Sequence, residues 1–208
     1  YVAASVSESG VVGTFGGANF PTVSIFMDGF YWGVQKYNEE KGADVQVLGW
    51  DPANPDTGLF TGNFTDLDIA RSTAQSLLDE GADILMPVGG QINLGAGAAM
   101  VDMGMGASTG TFGALIGVDT DAYVSAPEYA DLWLTSVEKK MDLGVADSIA
   151  QTNSGTFTPG NTRGFLSNEG VGISDFHDFD SIVSDETKAE VDALREAIIA
   201  GEQAVDGS

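Results

Sequence analysis

The 208-residue chain contains no cysteine. That excludes disulfides, thiolate metal sites and cysteine nucleophiles. Positive charge is scarce: eight Lys and Arg stand against 31 Asp and Glu, for a formal charge of −23. Such a surface repels nucleic-acid phosphates and anionic lipid, so no nucleic-acid or membrane-surface partner is expected. The single histidine, His177, cannot form a histidine metal cluster. No run reaches the roughly 18 apolar residues of a membrane-spanning helix.

What is present supports a folded α/β domain. The sequence is 43% apolar, enough for a real core. Val11–Phe15, Val45–Trp50, Ile84–Val88, Ala114–Val118, Leu132–Ser136 and Arg163–Ser167 read as short strands. Helical spacing predicts helices from Pro21 to Lys41, Asp66 to Glu80, Asn93 to Met103, Lys139 to Ala150 and Ser184 to Ala200. Residues 1–10 read as a lead-in, and Thr152–Asn161 as a polar linker. Strands that are continuous apolar runs, alternating with helices, predict a doubly wound parallel sheet covered on both faces.

In such sheets ligands sit beyond the carboxyl ends of the strands. Four segments fall there: Gly16–Phe20, Val88–Gly95, Asp119–Asp121 and the region of Lys139. The glycine turns match neither a dinucleotide fingerprint nor a phosphate-binding loop, and each also reads as a tight connection. Asp119 and Asp121 can accept sugar hydroxyls or stand as solvated loop acids. Phe26 fits the core by periodicity and a stacking surface by position. Lys139, at an expected helix start, places a cation where the dipole disfavours it. Asp51, Asn54, Asp56 and Gly58 lack calcium-loop spacing. No base, nucleophile and oxyanion donor cluster in the sequence, so the residues favour binding over catalysis, with no cofactor or metal required.

Five strings occur in order: Val-Gly-Thr-Phe-Gly-Gly (12–17), Ile-Phe-Met-Asp-Gly-Phe (25–30), Asp-Glu-Gly-Ala-Asp-Ile-Leu-Met-Pro-Val (79–88), Gly-Val-Asp-Thr-Asp (117–121) and Leu-Thr-Ser-Val-Glu-Lys-Lys-Met-Asp (134–142). Together they resemble the basic membrane protein family of bacterial lipoproteins, which includes the purine nucleoside receptor A proteins. The resemblance implies a type I periplasmic-binding fold. It also implies an extracytoplasmic, cell-surface solute-binding component of an ABC transporter, with permease subunits as partners and the membrane reached only through a lipid anchor. It implies the C-terminal part of a longer receptor: residues 1–155 as the second ligand-binding lobe, and 156–208 as a return segment of a first lobe whose N-terminal half is absent. By resemblance, Phe26 stacks on a purine, Asp119 and Lys139 hold the ribose, and the turn at Gly89 and Gly90 contacts the ligand through its backbone. Another small polar ligand such as a sugar, or a nucleoside hydrolase using Asp119 and Asp121, stays open. The return segment is expected to be mobile or packed away from its family position, because its apolar residues lack a partner sheet.

Overall fold

The structure, a computed structural model, describes residues 1–205. Five of the apolar runs form strands: β1 (Val11–Gly16), β2 (Gln46–Leu48), β3 (Ile84–Val88), β4 (Ala114–Asp119) and β5 (Trp133–Lys139). These are parallel, and a short β6 (Val171–Ile173) adds antiparallel to β5, giving the order β2-β1-β3-β4-β5-β6. The strand expected at 163–167 is not there. That stretch is irregular and enters a 3-10 turn at Leu166–Asn168, and the strand comes eight residues later than its expected start, at Val171. Gly170 explains part of the shift, since its backbone packs directly on Gly164, closing a tight turn before the strand.

The helices are α1 (Val2–Val6), α2 (Pro21–Lys41), α3 (Leu67–Asp79), α4 (Ile92–Asp102), α5 (Ala122–Ser125), α6 (Met141–Ser154) and α7 (Asp185–Ala200). The lead-in expected at residues 1–10 holds α1, with Val2, Ala3 and Ala4 buried. α2 starts on Pro21 and stops at Gly42, whose left-handed φ of 64° lets its N–H region close on the helix end. Its buried face is Val23, Met27, Phe30 and Val34. Asp66 caps α3 by accepting from the N–H groups of Asp68 and Ile69.

The sheet is covered on both sides, as the unbroken apolar runs demand. One face carries Val12, Ile84, Met86, Ile116 and Leu134 against α1 and α2. The other carries Leu85, Leu115 and Trp133 against α3 and α4. The small residues of α4 serve helix contact as well, for Gly95 lies against the Leu67 carbonyl and Ala70 of α3.

Residues beyond 170 pack on this same body. Phe179 is fully buried and Val183 nearly so, both in the core that includes α2. Three buried polar residues bind the segment to β5. The Ser136 N–H donates to Ser174 Oγ at 2.9 Å, the Ser174 N–H donates to the Ser136 carbonyl at 2.9 Å, and Thr135 Oγ1 donates to the Ser174 carbonyl at 2.8 Å. The stretch from Val171 to Val183 is therefore anchored on this body, one of the two outcomes expected for it. α6 is the exception to good burial: none of its residues is buried, and Met141, Val145 and Ile149, spaced four apart, are more than half exposed.

Candidate ligand-binding site

Parallel strands all point their carboxyl ends at one rim of the sheet, and the strand order turns back on itself between β1 and β3. At this rim the structure brings together three of the residues singled out in the sequence. β4 ends at Asp119 and β5 at Lys139, with Asp119 in register with Glu138. Lys139 Nζ lies 2.9 Å from Asp119 Oδ1, and the same ammonium stands 4.6 Å from the centre of the Phe26 ring. Phe26 comes from the second turn of α2, half-buried against the core. A cation, a carboxylate and an aromatic face thus meet in one partly exposed place.

Lys139 is not in a helix N-terminus as the sequence suggested. It is the last residue of β5, and the helix begins at Met141 after Lys140. Lys140 instead pairs with Glu138, and its N–H donates to the Gly170 carbonyl at 3.0 Å. The opposition of charge and dipole therefore falls on Lys140, while Lys139 faces Asp119.

Asp119 adopts a φ of +72°, a left-handed conformation uncommon for a residue with a side chain. The Thr120 N–H donates back to the Val118 carbonyl at 2.9 Å, closing a three-residue turn on Asp119. A turn of that hand is rare and strained, of order 1–3 kcal/mol, and persists only where its surroundings hold it. The surroundings are visible. Ser136 Oγ accepts the Ala122 N–H at 2.9 Å, Asp121 Oδ1 caps α5 through the Tyr123 N–H, and Asp121 Oδ2 lies 2.9 Å from His177 Nε2. The His177 ring stacks on Tyr123 with centroids 4.0 Å apart. The Tyr123 hydroxyl donates to Asp178, whose negative charge raises the phenol above its ordinary range. Asp121 and His177 therefore support the Asp119 loop from behind, which sequence spacing could not reveal across 56 residues.

The glycine turn at 89–90 is at the same rim, after β3. What lies against it is a protein side chain. A Cβ placed on Gly89 would come within 2.6 Å of the Phe64 ring, and one on Gly90 within 2.7 Å of the Phe64 carbonyl oxygen. Phe64 also stacks at 6.3 Å on Phe20, which is more than half exposed at the start of α2. Neither ring stood out in the sequence, because both sit in loops without periodicity.

Two grooves are lined by other residues. One of about 550 Å³ is lined by residues of 173–180 with Lys188, Val191 and Asp192, and one of about 340 Å³ by residues of α2 and 44–51. Neither contains Phe26, Asp119 or Lys139, and the Lys139 and Asp119 side chains are partly exposed. Among the described residues no group of three or more His, Asp or Glu is placed to hold a metal ion. No helix there is long and apolar enough to cross a membrane.

A family model described as ABC transporter substrate-binding protein, PnrA-like (Bmp) matches residues 1–208. The chain belongs to the Bmp family. It is 29% identical over 202 residues to basic membrane protein A of Borreliella afzelii, covering 96% of this chain and 54% of that protein. It is 28% identical over 167 residues to an uncharacterized lipoprotein of Pyrococcus abyssi, covering 79% and 37%. Among solved structures it superposes on an ABC transporter solute-binding protein from Aeropyrum pernix with a TM-score of 0.75 at 23% identity, covering 97% of this chain and 60% of that one. A solute-binding protein from Conexibacter woesei gives a TM-score of 0.72 at 24% identity, covering 98% and 59%. At these identities the superpositions establish the fold. The Bmp chain spans about half the length of the basic membrane proteins it matches. The family's description is one of substrate binding for transport, not of catalysis.

Proposed function

We propose that this Bmp chain forms one wall of the ligand cleft of an extracytoplasmic solute receptor that serves an ABC transporter, and that the ligand is a purine nucleoside. The observation that carries the reading is the meeting of Phe26, Lys139 and Asp119 at the carboxyl rim. A planar base stacks on the Phe26 ring, as aromatic faces favour. A ribose diol donates to Asp119 and accepts from Lys139, a pairing of charged groups with neutral hydroxyls that gives strong, directional hydrogen bonds. The strained turn at Asp119 aims the carboxylate before the ligand arrives, so little ordering cost is left for binding.

The opposite wall is supplied, on this reading, by residues of the kind that make the family's relatives roughly twice as long. The exposed apolar residues of α6 (Met141, Leu143, Val145 and Ile149) support it, since a helix with apolar side chains and no buried residue calls for a covering partner. Permease subunits are the transport partners, and a lipid anchor of the parent receptor holds it at the membrane, in keeping with relatives named lipoproteins. Calorimetry of the parent receptor with inosine, guanosine and adenosine tests the ligand. Binding of at least one in the micromolar range or tighter is expected; no heat with any of them, together with binding of a free sugar, overturns it. Release of hypoxanthine from inosine would instead mark a hydrolase.

A further inference from the structure

The glycine turns at the rim are held by a side chain that the site residues do not include. Gly17 follows β1 and Gly89 follows β3, on the two strands where the sheet order reverses. The Phe64 ring lies against both. A Cβ on Gly17 would fall 2.2 Å from the ring, and one on Gly89 2.6 Å from it. Such distances leave no room for any side chain while the ring stays in place. Gly89 also has a φ of +127°, which an L side chain rarely adopts.

The backbone of Phe64 continues the contact. Its carbonyl accepts the Gln91 N–H at 3.0 Å, and the Gly17 N–H donates to the Val88 carbonyl at 3.0 Å, so the two turns are stitched together beneath the ring. The loop that presents Phe64 is itself fixed. Thr61 Oγ1 donates to the Asn63 carbonyl at 2.6 Å, and Asn63 Oδ1 accepts from the N–H groups of Thr65 and Asp66. Asp66 then caps α3, which ties the wedge to a packed helix. On the outer side the Phe64 ring stacks on Phe20, the residue immediately before α2, the helix that carries Phe26.

We infer that Phe64 is a positioning residue for the binding site: its ring wedges the β1–α2 and β3–α4 turns into one rigid unit and fixes the start of α2. This rests on the nucleoside reading only for which ligand senses it. Removing the ring frees the Gly17 and Gly89 turns, so the rim must be ordered anew at each binding event, and affinity falls without any change at Phe26, Asp119 or Lys139.

Two measurements separate the wedge from the ligand assignment. The first uses the chain itself. In Phe64→Ala, and to a smaller degree in Phe64→Leu, the amides of Gly17 and Gln91 exchange about tenfold faster or more, while amides in the centre of β4 keep their protection. In a double-mutant cycle read by melting temperature, Gly89→Ala lowers the midpoint less in the Phe64→Leu background than in the unaltered protein, because the ring it collides with is gone. Unchanged exchange at Gly17 and Gln91, or a Gly89→Ala penalty equal in both backgrounds, overturns the wedge. The second uses the parent receptor with inosine as probe. Phe64→Leu weakens binding about tenfold, and Phe64→Tyr, which restores a flat ring, recovers it. Equal weakening by Leu and Tyr also overturns the inference. A parent that binds no nucleoside while the exchange and cycle results hold sinks the ligand reading and leaves the wedge standing.

Discussion

Lys139 Nζ stands between Asp119 Oδ1, at 2.9 Å, and the face of Phe26, at 4.6 Å, so the ammonium is already partnered before any ligand arrives. Both charged side chains remain about 40% exposed. An ion pair that wet contributes little to folding, on the order of 0–1 kcal/mol. Its value lies in holding two opposite charges where a diol can bridge them. Lys139→Ala in the parent receptor is therefore expected to leave the melting temperature within a degree or two of the unaltered protein. Nucleoside affinity should drop by about ten- to a hundredfold, the cost of losing a charged donor (roughly 1.5–3 kcal/mol). Titration calorimetry beside a thermal melt measures both, and unchanged affinity would remove Lys139 from the site. Lys140→Ala should bind almost normally, since that side chain pairs with Glu138 and points elsewhere.

Ser174 fastens the Val171–Val183 stretch to β5. Its hydroxyl accepts the buried Ser136 N–H, and its N–H and carbonyl bond to Ser136 and Thr135. Ser174→Ala leaves the Ser136 N–H without its acceptor inside the sheet, which costs about 1–3 kcal/mol. Chemical denaturation should show a lower midpoint with an unchanged slope. Because Ser136 also anchors the start of α5 through Ala122, the Asp119 loop should loosen in the same variant. A midpoint equal to that of the unaltered protein would show that β6 is not held in this way.

Glu190 of α7 reaches across to α2, where Lys41 pairs with it and holds its carboxyl below the ordinary value of 4.5. A carboxyl whose folded value is depressed adds stability at pH above its unfolded value, and loses it as pH falls through the folded value. The difference in melting temperature between the unaltered protein and Glu190→Gln should thus be present at pH 7 and close progressively below about pH 4.5. A gap that is constant from pH 7 to pH 3 would mean that the Lys41 pair does not matter to stability.

How much of this could be read from residues alone follows from which forces are local. The strand Ile84–Val88 is found where its apolar run predicts it, because a buried parallel strand needs a continuous apolar stretch and nothing else. Phe26, Asp119 and Lys139 could be named because they lie in strings that resemble those of the family, and Asp119 and Lys139 meet because β4 and β5 are parallel and end at one rim. The segment 156–208 was harder. β6 has only three residues and pairs antiparallel, so neither length nor pattern marks it, and the apolar residues within Arg163–Ser167 predict a strand there instead. The Asp121–His177 and Phe64–Gly89 contacts join residues far apart in the chain, and no single-sequence period encodes such pairs. Gly89 and Gly90 show the same limit: the turn is legible as glycine-rich, but nothing in the sequence says that the Phe64 ring packs against it.

The bare face of α6 sets the last prediction. Met141, Val145 and Ile149 are each exposed by more than half, and together they form one stripe of a helix that buries nothing. If this face meets an opposing lobe in the parent receptor, polar replacements there should behave differently in the two contexts. In the 208-residue chain, Val145→Gln and Ile149→Gln remove no buried contact, so each should change stability by no more than about 0.5 kcal/mol and should reduce self-association. In the parent the same substitutions put an amide into an apolar interface and should cost about 1–3 kcal/mol each. The chain alone should also bind nucleoside weakly, because one wall cannot enclose a ligand that pockets normally bury by roughly 70–90%. Paired denaturation curves and calorimetry of the chain and of the parent decide this. Equal costs in both contexts, with micromolar nucleoside binding by the chain alone, would show that the Phe26–Lys139–Asp119 wall works without an opposing lobe.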